Sequence, residues 1–140
     1  ISFDTAFSEV MKSCSLPRIG KSQSSWITVK MIDAYEQLHR QGHAHSVECW
    51  REGELVGGLY GVSIGGVFFG ESMFSLVPDA SKVALATLCS IGKSWGYLLI
   101  DCQVESSHLL SLGAEKIARS TFSEKLEIFT QINITNTAWQ

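Results

Sequence analysis

Glu71 and Met73 stand two residues apart in Gly70-Glu71-Ser72-Met73-Phe74, and Asp101 and Gln103 stand two apart in Ile100-Asp101-Cys102-Gln103-Val104. Both stretches read as β-strand, where side chains two apart share a face. The spacing predicts that Glu71 and Met73 point the same way, that Asp101 and Gln103 do too, and that a carboxylate, a thioether, a second carboxylate and an amide line one pocket. Asp101, flanked by Leu98, Leu99, Ile100 and Cys102, is expected to be partly buried and held by a partner. A pre-set hydrogen bond between Asp101 and Gln103 meets that need; an exposed capping role for Asp101 is the alternative. Gly57, Gly58, Gly61, Gly65, Gly66 and Gly70 crowd the same region. They suggest either a strongly twisted hairpin or bulges where the backbone comes close to something.

The elements that must position these groups follow from periodicity. Residues 4 to 14 carry Ala6, Phe7, Val10, Met11 and Cys14 on one helical face, with Asp4 expected to cap the amino end. A polar loop from Ser15 to Ser25 leads to Trp26, which suits either a core or a base-stacking surface. Thr28 caps a second helix with Met31, Ile32, Tyr35 and Leu38 at helical spacing, ending at Gly42. Ser46 to Trp50, Leu55 to Ile64 and Val67 to Phe74 form an antiparallel meander with turns at Glu52-Gly53 and Gly65-Gly66. Asp79 is expected to cap a third helix that stops near Gly92 to Gly96, and Tyr97 to Cys102 reads as a short buried strand. A turn at His108 to Gly113, a strand around Glu115 to Arg119 and a last helix capped by Ser120 complete the chain.

At 140 residues, with 45% hydrophobic and 18% charged residues, the chain has the size and composition of one domain with a core of its own. Apolar runs are interrupted well before membrane-spanning length and no secretory leader pattern is visible, so a soluble, intracellular, cytoplasmic domain is expected. Cys14, Cys49, Cys89 and Cys102 form no Cys-x-x-Cys pair and predict reduced, mostly buried thiols. The His43-Ala44-His45 pair has no third ligand at fixed spacing, and His39 and His108 add none, so no metal is expected. A net charge of −3 weighs against a broad polyphosphate surface, and neither a dinucleotide fingerprint nor a Walker loop occurs. The first residue, Ile1, suggests a fragment or a processed chain.

A meander followed by a helix and a short buried strand is the plan of the acetyltransferase-like (GNAT-type) α+β fold, a mainly antiparallel sheet flanked by helices. Enzymes of that fold usually hold a pyrophosphate at a glycine-rich turn opening this helix. Here the turn is Leu76-Val77-Pro78-Asp79-Ala80-Ser81, and Asp79 would repel a pyrophosphate. An acyl donor other than acetyl-coenzyme A is expected.

Taken together, Trp26-Ile27-Thr28, Met31 to Tyr35, His43-Ala44-His45-Ser46-Val47-Glu48, Gly57 to Gly61, Gly70 to Ser75, Ala80-Ser81-Lys82, Asp101 to Val104 and Ser111 to Ala114 resemble the bacterial leucyl/phenylalanyl-tRNA-protein transferases, from about residue 3 to residue 119. The resemblance implies transfer of leucine or phenylalanine from aminoacyl-tRNA to proteins with N-terminal arginine or lysine, which marks them for degradation. It implies a single acetyltransferase-like catalytic domain over residues 1–140, without the family's small N-terminal domain, and no cofactor. It assigns Trp26 to stacking on the terminal adenine, and Leu59, Met73, Leu85, Leu88 and Ile100, with Glu71, to the aminoacyl side-chain pocket. Asp101 and Gln103 match the catalytic pair, and Glu71 is expected to add negative potential for the basic substrate. The family commonly has methionine at the place of Leu59, phenylalanine at that of Leu88 and a double arginine at Arg119-Ser120. Two rival readings share this fold plan: a coenzyme A-dependent N-acyltransferase and a truncated, inactive substrate-binding module.

Overall fold

The computed structural model of the chain describes residues 1–16 and 27–140. In chain order it contains strand β1 (Ser2–Phe3), helices α1 (Phe7–Ser15) and α2 (Val29–Arg40), strands β2 (Ala44–Arg51), β3 (Glu54–Ile64) and β4 (Val67–Ser75), helix α3 (Ala80–Trp95), strand β5 (Leu99–Asp101), and helices α4 (Ser107–Ser111) and α5 (Arg119–Phe129). The five strands lie side by side in sequence order. Neighbours from β1 to β4 are antiparallel, and β5 joins β4 in parallel after the α3 crossover. The result is an α+β domain on one mixed sheet. Among the described residues, no helix is long and apolar enough to cross a membrane.

Local chemistry explains most boundaries. The β2–β3 hairpin turns through Glu52 and Gly53, both at positive φ (51° and 83°), the conformation that matches strand twist. Thr28 caps α2, its Oγ1 accepting the Met31 N–H at 3.2 Å. Helix α3 ends on Gly96 at φ 100°, with the Tyr97 N–H returning to the Gly92 carbonyl. The meander, the third helix and the strand after it therefore stand where periodicity placed them.

The sheet is covered on both sides. Leu59 and Tyr60 are successive and fully inside, so they face opposite layers. Tyr60 packs with Phe7, Val10, Met11 and Ala44 beneath α1 and α2. Leu59 packs with Val47, Phe68, Ala84 and Leu88 beneath α3. Trp139 joins this second layer from near the chain end, stacked on His45 (centroids 4.4 Å apart, 8° between planes), its Nε1–H donating to Tyr97 Oη at 2.9 Å.

Several expectations are corrected. Asp4 does not cap α1, which starts at Phe7; Asp4 has φ 56°, and its carboxylate accepts the Ser46 N–H at 2.8 Å and pairs with His45 Nδ1 at 2.7 Å. Asp79 holds the cap position of α3 at φ 65°, but its carboxylate pairs with Lys82 Nζ at 2.8 Å instead of the helix N–H groups. Residues 115–118 form no strand, because Ile117 is the one large apolar side chain among them and offers no face to bury. Helix α5 starts at Arg119 behind Ala118, so Ser120 is inside it and caps nothing. The β5 strand is shorter than Tyr97 to Cys102 and half-buried throughout. The turn at His108 to Gly113 is largely the five-residue helix α4, capped by Ser106. The thiols are not mostly buried: Cys89 is exposed and the other three are half-buried. The predicted loop at Ser15 to Ser25 lies, beyond Leu16, outside the described residues, as does Trp26.

One polar group was not anticipated. Glu48 on β2 has no solvent exposure and no cationic partner among the described residues, yet its carboxylate accepts from Ser2 Oγ (2.6 Å), Thr5 Oγ1 (3.0 Å), the Ala6 N–H (3.4 Å) and Ser46 Oγ. These bonds tie the chain ahead of α1 to the middle of the sheet. Glu48→Ala leaves that set of buried donors unpaired and is expected to lower the unfolding free energy by about 3 kcal/mol. Urea denaturation checks this, and a loss below about 1 kcal/mol contradicts it.

Candidate functional site

The strand bearing Glu71 is interrupted. Leu59 pairs with Met73 and Ser63 with Phe68, and Leu59, Met73 and Phe68 all pack in the layer under α3. Phe68 and Met73 are five residues apart, which on a regular strand would put them on opposite faces. One extra residue must lie between them, and the register locates it. Tyr60 pairs with Ser72 and the next residue, Gly61, pairs with Gly70, so Glu71 has no partner on β3. Glu71 is the extra residue of a β-bulge. Gly61 opposite it leaves no room for a Cβ, which would meet the Phe69 carbonyl and the Phe68 ring.

The bulge reverses the prediction for Glu71. It shares the face of Tyr60 and Ser72, toward α2, while Met73 faces α3. Tyr35 of α2 hydrogen-bonds Glu71, and its phenol is pushed above the usual tyrosine range by burial first, then by the charge of Glu71 and that hydrogen bond. The equal-spacing rule failed because period-2 alternation holds only while the ladder is unbroken.

At the same level the sheet forks. Strand β5 pairs with β4 only at Val67, Phe68 and Phe69, and then ends at Asp101 while β4 runs on to Ser75. Gly70 stands at the fork, where a Cβ would lie 3.3 Å from the Asp101 carbonyl oxygen. Beyond β5 the backbone N–H of Gln103 donates to Asp101 Oδ1 at 2.9 Å, and Gln103 is held at φ 64°. The two residues are joined as expected, but through the Gln103 backbone, so its amide stays available to a ligand.

A cavity of about 1100 Å³ opens beside this fork, between α3, β5 and the α4–α5 segment. Leu85, Ile100, Asp101 and Gln103 line it. Leu59 and Leu88 are buried behind that wall, and Met73, Leu85 and Ile100 pack against the same cluster. The predicted apolar residues thus form one body, of which Leu85 and Ile100 are the exposed surface. Glu71 lies across the sheet from it. Lys82, Lys116, Arg119 and Lys125 also line the cavity. Lys82 is paired with Asp79 and Lys116 with Glu105 (3.0 Å), while Arg119 and Lys125 have no ion-pair partner among the described residues.

A second group, Asp4, His39 and His45, brings three potential ligand atoms within 4.8 Å of one another at the edge of a cavity of about 500 Å³. Sequence spacing could not show it, since Asp4 comes from a distant segment. All three make hydrogen bonds: His45 Nδ1 to Asp4, His45 Nε2 to the Gly42 carbonyl (3.2 Å), and His39 Nδ1 to the Ala44 carbonyl (2.8 Å). These contacts fasten the chain start to β2.

A five-stranded mixed sheet forked at a bulge, with an acid, an amide and an apolar wall lining a cavity at the end of β5, defines an α+β domain with a candidate site there. The chain belongs to the family described as leucyl/phenylalanyl-tRNA protein transferase, whose model matches residues 1–127. It is similar to the leucyl/phenylalanyl-tRNA–protein transferases of Nitrosomonas europaea (53% identical over 136 residues, 97% of this chain and 57% of the relative), Hydrogenovibrio crunogenus (50% over 139, 99% and 54%) and Myxococcus xanthus (55% over 127, 90% and 54%). The chain therefore spans somewhat over half the length of these relatives.

Cys102, between Asp101 and Gln103, reports on the site. Burial raises its thiol pKa, with the Asp101 charge next and Cys89 after it. The thiolate fraction at pH 8 is accordingly small and grows as pH rises. Removing the neighbouring charge in Asp101→Asn is expected to lower the thiol pKa and speed alkylation of Cys102 at pH 8, followed by peptide mass spectrometry. Unchanged or slower alkylation would place Asp101 away from the thiol.

Proposed function

We propose that this chain is the catalytic part of an aminoacyltransferase that moves leucine or phenylalanine from aminoacyl-tRNA to the N-terminal arginine or lysine of acceptor proteins in the cytoplasm, marking them for degradation. The observation that carries the reading is the family match over residues 1–127, which includes the Asp101–Gln103 pair at the cavity. The forked, bulged sheet supports the finer assignment of the fold as GNAT-type.

In this reading the aminoacyl side chain lies on Leu85 and Ile100, with Leu59, Met73 and Leu88 setting the depth of the wall behind them. Trp26 stacks on the terminal adenine. Arg119 and Lys125 at the cavity rim suit tRNA phosphates. The acceptor's α-amino group, with a pKa of about 8, is already partly neutral near pH 7. Its nitrogen attacks the ester carbonyl carbon, the tetrahedral intermediate collapses, and the ribose oxygen leaves with a proton as the amide forms. A glutamine amide is too weakly basic to take that proton. Gln103 orients the amine by accepting a hydrogen bond, and Asp101 fixes Gln103 through its backbone. Glu71, reached across the fork, adds negative potential for the positively charged acceptor.

A coenzyme A donor fits less well, because the amino end of α3 carries Asp79, whose carboxyl is held below its usual range by the hydrogen bond and charge of Lys82. It stays ionised where a pyrophosphate would have to sit.

The test is transfer of labelled leucine from leucyl-tRNA to a peptide beginning with arginine, using a full-length protein that carries this sequence. Asp101→Asn and Gln103→Ala are each expected to slow transfer on the order of a hundredfold. Wild-type rates in both variants would remove the proposed roles, and calorimetric binding of acetyl-coenzyme A would favour the other donor.

A further inference from the structure

The layer under α1 and α2 contains a polar atom that the fold leaves unsatisfied. Tyr60 is fully buried, and its hydroxyl has no hydrogen-bond partner among the described residues. A buried hydroxyl without a partner is unfavourable, and phenylalanine would fill the same volume without it. Tyr60 also stands directly opposite the bulge, paired with Ser72 on the face that Glu71 shares. Its ring meets that of Tyr35 edge-on, with centroids 5.6 Å apart and planes at 80°. Tyr35 already bonds Glu71. Two touching phenols therefore lie on the face that Glu71 shares, one bonded to that carboxylate and one with its hydroxyl unpaired among the described residues.

We propose that Tyr60 is a positioning residue for Glu71, its hydroxyl becoming the second donor to the carboxylate when the site is loaded. Because Glu71 has no partner on β3, it has more freedom than a regular strand residue. One donor, Tyr35, leaves the carboxylate free to turn about that bond; a second, from the sheet itself, fixes its direction relative to the fork. The burial that raises the Tyr60 phenol pKa, ahead of the charges of Cys14, Tyr35 and Glu71, keeps it protonated and able to donate. The inference rests on the reading of Glu71 as part of the transfer site.

The experiment is steady-state transfer by a full-length protein carrying Tyr60→Phe, Glu71→Gln or both. Tyr60→Phe is expected to lower kcat roughly tenfold with KM for the aminoacyl-tRNA unchanged. Its Tm should be equal or higher, since no native hydrogen bond is lost; a merely structural tyrosine would not separate rate from stability in this way. On the Glu71→Gln background the same substitution should cost nothing further. Wild-type kcat in Tyr60→Phe, or a loss that adds in full to that of Glu71→Gln, overturns the role of Tyr60. A wild-type rate in Glu71→Gln instead overturns the reading of Glu71 on which the proposal stands, so the two failures are distinguishable.

Discussion

A carboxylate with no access to water has to be met by donors on all sides, and Glu48 is met by the segment that leads into α1. Ser2, Thr5 and Ala6 supply the bonds from the chain start and Ser46 from the same strand. Desolvating a carboxylate costs several kcal/mol, which only a complete set of donors offsets, so residues 2–6 have little choice of path. That path decides where α1 begins and lays Phe7, Val10 and Met11 over Tyr60. Next to it, Asp4 binds His45 at Nδ1, and the flat face of that ring stacks on Trp139. Residues 2–4 and Trp139 thus meet at β2 on the α3 side, where Phe3 and Trp139 touch edge-on (centroids 5.9 Å apart), while α1 leaves for the other layer.

That fixed sheet gives meaning to one irregularity. A single extra residue in β4 turns Glu71 to the opposite face from Met73, a few residues from the point where β5 leaves β4. In the proposed reading the fork lets groups on the two faces approach one ligand, with apolar surface on the α3 side and acid and phenols on the α2 side. An unbroken ladder would have sealed the two layers from each other. The glycines fit this picture at two positions: Gly61 because nothing larger fits opposite the bulge, and Gly70 because the Asp101 backbone passes close by.

What the sequence made legible was local. The hairpin at Glu52-Gly53, the Thr28 cap and the Gly96 stop depend on neighbours in the chain, and all three stand where residue type placed them. Misreadings arose where a distant partner competes. Asp4 has the chemistry of a helix cap but finds Ser46 and His45 instead, and Asp79 finds Lys82. Trp139 could not be placed in the core by periodicity, since it lies in an irregular tail. Short ordered motifs singled out Asp101, Gln103 and the apolar residues that the fold gathers beside one cavity. They could not show that Glu71 lies on the other face, because the glycines that signal a bulge in this region do not say which residue of β4 is the extra one.

The central claim is that the fork beside the bulge receives the aminoacyl group. A crystal structure of the full-length protein with a non-hydrolysable leucyl-adenosine mimic tests it most directly. The account predicts the leucyl side chain against Leu85 and Ile100, with its carbonyl carbon beside the Gln103 amide. A mimic bound instead in the cavity bordered by Asp4, His45 and Trp139, with the fork empty, would contradict it.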